Sequence, residues 1–213
     1  QQVTSLTGTD VLHAHLIDAE DARLFSALGV PLLMTVHNTR AAWPEGLETL
    51  QHGDAAMLIA CAQMVEREMR PCGFAIPIRT VWNGIRTEEV AKAVAQSMSQ
   101  REPRSLTLVC IANPRPQKRL HLLPGILAAI RSDFAKQGSH LEVKMILAGE
   151  TSPLSPSAVE CMNQTLAEVQ RLGLAEHFHV TEGGEEITNV LARSDVMICC
   201  SAYEGLSLAH LEG

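Results

Sequence analysis

Aromatic side chains are scarce in this 213-residue sequence: two Trp, one Tyr and four Phe, 3% of the chain. A core built without them must be aliphatic, and Leu, Ile, Val, Ala and Met supply it within a hydrophobic fraction of 46%. Long apolar runs are missing as well. None approaches the roughly 18–20 residues that cross a bilayer, and the polar start QQVTSLTGTD is no signal peptide. Positive charge is in short supply: 17 Lys and Arg against 24 Asp and Glu leave a formal charge of −7, which disfavours nucleic acid as a partner. Residues 1–70 hold nine acids and four bases, so this half carries no polybasic membrane patch.

Several catalytic and binding motifs are also missing. The six cysteines (Cys61, Cys72, Cys110, Cys161, Cys199 and Cys200) form no C-x-x-C pair, and most lie in apolar segments. They read as reduced core thiols of a cytosolic protein. Nine histidines with no H-E-x-x-H cluster argue, with the cysteines, against a zinc site. There is no G-x-x-x-x-G-K-[ST] loop and no G-x-G-x-x-G after the first strand. No G-x-S-x-G elbow supports a serine hydrolase, and EGGEE around Gly183–Gly184 is too acidic to cradle phosphate. Without a D-x-D triplet, a diphosphate would have to be held by fixed cations, with no metal bridge.

What is present is an alternation of short apolar runs with longer amphipathic stretches. Strands are expected at Asp10–Leu16, Val30–His37, Met57–Cys61 and Ile76–Val81, with helices near Asp18–Leu28 and Gln63–Met69. Helix-forming residues 87–98 run into the polar SQREPRS, the expected seam between two domains. The pattern then restarts, with strands at Leu106–Ala112, Glu142–Ala148, Phe178–Thr181 and Asp195–Cys200. Helices are expected at Arg119–Lys136 (kinked early by Pro124), Ser157–Leu172, Glu185–Arg193 and from Leu206 onward. The fold class is therefore α/β, two parallel sheets in tandem, covered on both faces. Neither half looks complete.

In such sheets ligands bind beyond the carboxyl ends of the strands. Polar or flexible residues cluster there: His37 and Asn38; Asn83 and Gly84; Asn113, Arg115 and Lys118; Gly149 and Glu150; Ser201 to Gly205. In ANPRPQKR two prolines stiffen a loop that sets Arg115 and Lys118 just before a helix, an arrangement suited to a diphosphate, although a solvated basic loop reads the same way. In YEGLSLAHLEG, Gly205 permits close approach of a ligand, and the amides of Leu206, Ser207 and Leu208 are donors at an expected helix start. Glu204 and Glu212 are eight residues apart, roughly 12 Å of helical rise and about 80° around the axis, so both can border one cleft, although a dipole-favoured Glu204 and a solvated Glu212 read the same way. A carboxylate repels phosphate but accepts well from sugar hydroxyls, which favours a ligand carrying both.

The runs DVLHAHL, TVHN, LIACA, VWNGI, the lysine loop after LVCIA, MILAGE and SDVMICCSAYEGLSLAHLE together resemble the group-one retaining glycosyltransferases, from about Asp10 to Glu212. The most specific element is an E-x7-E spacing at Glu204 and Glu212. The resemblance implies the GT-B arrangement of two Rossmann-like domains, here residues 1–100 as a partial acceptor-side domain and 101–213 as a nucleotide-sugar-binding domain lacking its end. It implies that Lys118 binds the donor diphosphate, Glu212 the ribose hydroxyls, and that Glu204 faces the transferred sugar. Amides around Leu206 to Leu208 would cradle the distal phosphate, His37 would stand close to the sugar, and Asn83–Gly84 resembles the crossover between domains.

The sequence departs from the family where an arginine usually precedes the lysine by five residues: this position is Asn113, and Arg115 is the candidate to supply the charge. The acid common after the N-G turn is Arg86, and the proline common before Ser201 is Cys200. The implied partners are a nucleotide-sugar donor and a glycan, lipid or small-molecule hydroxyl acceptor. No metal or other cofactor is implied. The expected location is the cytoplasm or the inner face of a membrane, and the chain is expected to be an internal portion of a longer enzyme. Two alternatives share the architecture: a non-catalytic sugar-nucleotide-binding module and a non-hydrolysing sugar-nucleotide epimerase.

Overall fold

The computed structural model describes residues 8–97, 104–149, 155–181 and 187–213. Glu150, the EGGEE segment and most of SQREPRS lie outside the described residues. Contacts group Gln1–Gly84 with Tyr203–Ser207 in a first unit and Ile85–Ala202 with Leu208–Gly213 in a second.

The first unit holds β1 (Leu12–His15), α1 (Ala19–Ser26), β2 (Leu32–Val36), β3 (Met57–Ala60), α2 (Gln63–Met69) and β4 (Ile78–Thr80). Its strands are parallel, in the order β1-β2-β3-β4. Asp18 starts α1 by accepting the Asp21 amide at 2.8 Å, and Gly29, at φ +76°, takes the left-handed turn that follows it. Alternation along each strand sorts the side chains. Leu32, Met34, Val36, Leu58 and Ala60 pack with Ala19 and Ala22 of α1 and Val65 and Met69 of α2. Burying each of the larger aliphatic side chains contributes about 1.5–3 kcal/mol. His13, His15, Leu33 and Thr35 have the opposite parity and share the other face.

The second unit holds α3 (Thr87–Ser97), β5 (Ser105–Ile111), α4 (Leu123–Lys136), β6 (Glu142–Ala148), α5 (Pro156–Arg171), β7 (Phe178–Val180), α6 (Ile187–Ala192), β8 (Val196–Met197) and α7 (Leu208–Glu212). The sheet is again parallel, in the order β7-β6-β5-β8. Here both faces are apolar. Leu108, Cys110, Met145 and Leu147 pack under Leu123 and Leu127 of α4 and Met162 and Val169 of α5. Val109, Ile146 and Ala148 meet Val190 and Leu191 of α6. Because α3 packs against α6, it belongs to the second unit, and the division falls at Gly84–Ile85, whereas composition placed it near residue 100.

Three local expectations need correction. Pro124 does not kink a long helix: the chain makes separate 3₁₀ turns at Pro116–Lys118 and Leu120–Leu122, and α4 starts at Leu123 with the proline in its first turn, where its missing N–H is no loss. The final helix starts at Leu208, not at Leu206, because Tyr203–Ser207 is a non-helical strap held in the first unit. The last strand shortens to Val196–Met197, since only Leu108 and Val109 of β5 pair with it.

Candidate functional site

In the second unit the candidate residues cluster at the carboxyl ends of β5, β6 and β8. Beyond β5, the Ala112 amide donates to the Ala148 carbonyl at 2.9 Å, so the loops after β5 and β6 leave the sheet side by side. Gly149 is required there. It sits at φ +142°, and a Cβ would lie 2.8 Å from the Ala112 oxygen and 3.1 Å from Asn113 Oδ1. Asn113 and Gly149 are thus brought together, as expected from strand ends.

Arg115 is exposed and extended ahead of the 3₁₀ turn, whose Lys118 amide returns to the Arg115 carbonyl at 2.9 Å. Arg119 then takes a left-handed conformation, φ 49°, and turns its guanidinium toward the segment after β8. Its Nε donates to the Cys200 carbonyl at 2.6 Å and its Nη2 to the Ser201 carbonyl at 3.0 Å. The Ala202 amide completes the junction by donating to the Gln117 carbonyl at 2.7 Å. The loop that carries Lys118 and the segment that leads to Glu204 are therefore tied together by three hydrogen bonds. Beneath this loop, burial together with the neighbouring Cys200 and Cys199 pushes the Cys110 thiol up to about 12, with Lys118 opposing. At the chain's end, Gly213 packs on Met197, so Glu212 stands in the helix turn that lies over the end of β8.

In the first unit, His37 follows β2 and is half-buried. Its Nε2 shares a hydrogen bond of 2.7 Å with Nδ1 of His15, at the end of β1. His13 Nε2 makes a matching bond of 2.7 Å with Thr35 Oγ1. Burial first, then the neighbouring His15 and His13, holds His37 below the usual histidine range; burial, then His13, does the same to His15.

The strap residues converge on this end of the sheet. A Cβ at Gly205 would overlap the His37 carbonyl oxygen. Cys61 Sγ donates to that same oxygen at 3.3 Å and takes a bond from the Leu206 amide, while Asn83 Nδ2 donates to the Leu206 carbonyl at 3.0 Å. Leu206 thus anchors the strap with both backbone groups. Glu204 and Ser207 flank it, half-buried, and Gly84 ends the unit in open space.

The sequence did not single out Arg119 or His15. Arg119 lies at the start of the expected helix Arg119–Lys136, and His15 lies within DVLHAHL, read as a strand and as part of the resemblance but given no role. All six cysteines are free, but only Cys61, Cys110 and Cys200 are core thiols; Cys199 is exposed. Among the described residues no group of three or more His, Cys, Asp and Glu side chains could hold a metal ion, and no helix is long and apolar enough to cross a membrane.

Comparison with known proteins bears on this arrangement. Solved structures share the fold. A UDP-forming α,α-trehalose-phosphate synthase from Burkholderia xenovorans aligns with a TM-score of 0.73 at 16% identity, over 97% of this chain and 56% of its own. A sucrose-phosphate synthase from Thermosynechococcus elongatus gives 0.73 at 16%, over 96% and 53%. An Anabaena protein solved in complex with UDP and glucose gives 0.69 at 15%, over 95% and 56%. The chain therefore spans little more than half the length of these neighbours, and its two parallel four-stranded sheets with their helices form a GT-B-like α/β fold. No curated protein matches the sequence. Residues 3–89 match the family described as Glycosyltransferase Family 4, and residues 105–213, half of the chain, match Glycosyl transferases group 1. The chain belongs to the group 1 glycosyl transferases.

Proposed function

We propose that this chain is the donor-handling part of an enzyme that moves a sugar from a nucleotide-sugar to a hydroxyl acceptor with retention of anomeric configuration. The observation that carries the reading is the junction of Gln117 and Arg119 with Cys200, Ser201 and Ala202, which fixes the cationic loop relative to the segment entering the E-x7-E spacing. Transfer requires the diphosphate to leave as an oxocarbenium-like sugar develops. Lys118, with Arg115, stabilises the charge on the departing phosphate, and the amides of Ser207 and Leu208 add donors; losing one such donor costs about 3–4 kcal/mol. Glu212 accepts from the ribose hydroxyls, and Glu204 and His37 act on the transferred sugar. Fixed cations make a bridging metal unnecessary. Neighbours whose names or ligands include UDP support a nucleotide-sugar donor.

The test is kinetic, on the full-length protein. Lys118→Ala and Glu212→Ala are each expected to lower turnover about a hundredfold or more. Unchanged transfer in both overturns the reading. Asn113, in place of an arginine, favours a second reading, a binding module without turnover. That reading requires a nucleoside diphosphate to raise the melting temperature while a nucleotide-sugar is never consumed.

A further inference from the structure

The face of the first sheet opposite its core carries a row of three imidazoles, of which only His37 was assigned a role. The row follows from the topology. His13 and His15 are two apart on β1 and share a face, and the parallel register sets His15 opposite Thr35, with His37 two residues further along the same parity. The ring centroids are 4.3 Å apart for His13–His15 and 5.0 Å for His15–His37. His13 is braced by Thr35, so the middle ring is held from one side and bonds His37 on the other. Leu16, exposed and at φ 56°, turns the chain immediately after His15; such strain in a bulky residue persists only where the surroundings impose it.

A hydrogen bond between two imidazoles holds one proton between two nitrogens, so it fixes which nitrogen of each ring remains for other partners. Among the described residues His37 Nδ1 makes no hydrogen bond. We infer that His15 is a positioning residue for His37: its bond engages Nε2, locks the ring, and leaves Nδ1 as the one nitrogen of His37 able to meet a substrate hydroxyl. The functional part of this inference rests on the proposed role of His37 toward the transferred sugar; the ring pairing does not.

The experiment reads the rings directly, by long-range proton–nitrogen correlation on histidine-labelled full-length protein, alongside sugar transfer. In His15→Ala the ring nitrogens of His37 are expected to leave their hydrogen-bonded shifts. The His37 titration midpoint is expected to rise, since a cationic neighbour has been removed while His13 remains and Cys61, just after β3, stays a neutral thiol. Asn places a polar atom where Nδ1 stood and Gln places one nearer Nε2. His15→Asn is therefore expected to keep the His37 shifts and most of the activity. His15→Gln and His15→Ala are expected to lose ten- to a hundredfold, about what a misplaced catalytic group costs, in kcat with KM little changed. Unmoved His37 shifts in His15→Ala overturn the inference, as does an equal activity loss in the Asn and Ala variants. Shifts that respond as expected in a protein that transfers no sugar retain the pairing and overturn the proposed function instead.

Discussion

Gly205 lies so close to the carbonyl oxygen of His37 that any side chain at 205 would overlap it. The same oxygen accepts from the Cys61 thiol, so one carbonyl is the meeting point of β2, β3 and the strap. No positive φ is needed at Gly205. Its requirement is space, not backbone freedom.

Gly205→Ala is therefore expected to displace the strap from the first unit. Overpacking of this kind costs about 1–3 kcal/mol, read as a lowered urea midpoint with an unchanged slope. Sugar transfer should fall further than the stability loss explains, because Glu204 adjoins the displaced residue.

Arg119 offers a test of the junction in the second unit. Arg119→Lys keeps the charge but cannot reproduce a fork that reaches two carbonyls. A loss of about 1–2 kcal/mol is expected, discounted for the exposure of the side chain. Arg119→Gly relieves the left-handed backbone yet removes both bonds, so a comparable loss there assigns the effect to the guanidinium. Denaturant unfolding measures both.

Gly149→Ala combines a forbidden φ with contact against the Ala112 carbonyl and Asn113. About 2–3 kcal/mol of destabilisation is expected, seen as a drop in melting temperature. The loop after β5 should become more accessible to protease, since the added methyl must push Ala112 and Asn113 aside.

The histidine row makes stability pH-dependent. Both His15 and His37 titrate below 6.5 in the folded chain, so on acidification the unfolded chain takes up protons first. Their contribution is present above about pH 6.5 and is lost as pH falls through the lowered folded values. Melting temperature should decline between pH 7 and 5, and His37→Ala should flatten that decline.

Much of the fold was legible because parallel strands buried on both sides read as unbroken apolar runs. EVKMILA gave β6 from its first residue to its last, and Gln63–Met69 gave α2 likewise. What failed were segments whose conformation is set by distant partners. Tyr203–Ser207 has helical spacing toward Glu212, but Asn83, Cys61 and the His37 carbonyl hold it outside the helix. Arg119 looks like an ordinary residue in an amphipathic run, and only the carbonyls of Cys200 and Ser201 explain its left-handed turn. For the candidate site, strand-end positions such as Asn113 and Gly149 were legible because chain direction alone places them on one edge. The His15–His37 bond was not, because it depends on the register between β1 and β2. An i, i+2 histidine pair on a strand was the available signal.

The bond between Asn83 and Leu206 joins residues 123 positions apart. During synthesis the first unit emerges from the ribosome long before its last anchoring residue has been made. Its sheet and two helices must persist through the translation of nearly the whole second unit with the end of the first sheet still open. Closing so long a loop brings an entropic cost that local pairing does not. The contacts that seat the strap are thus ones the first unit gains only after most of the second unit has been made.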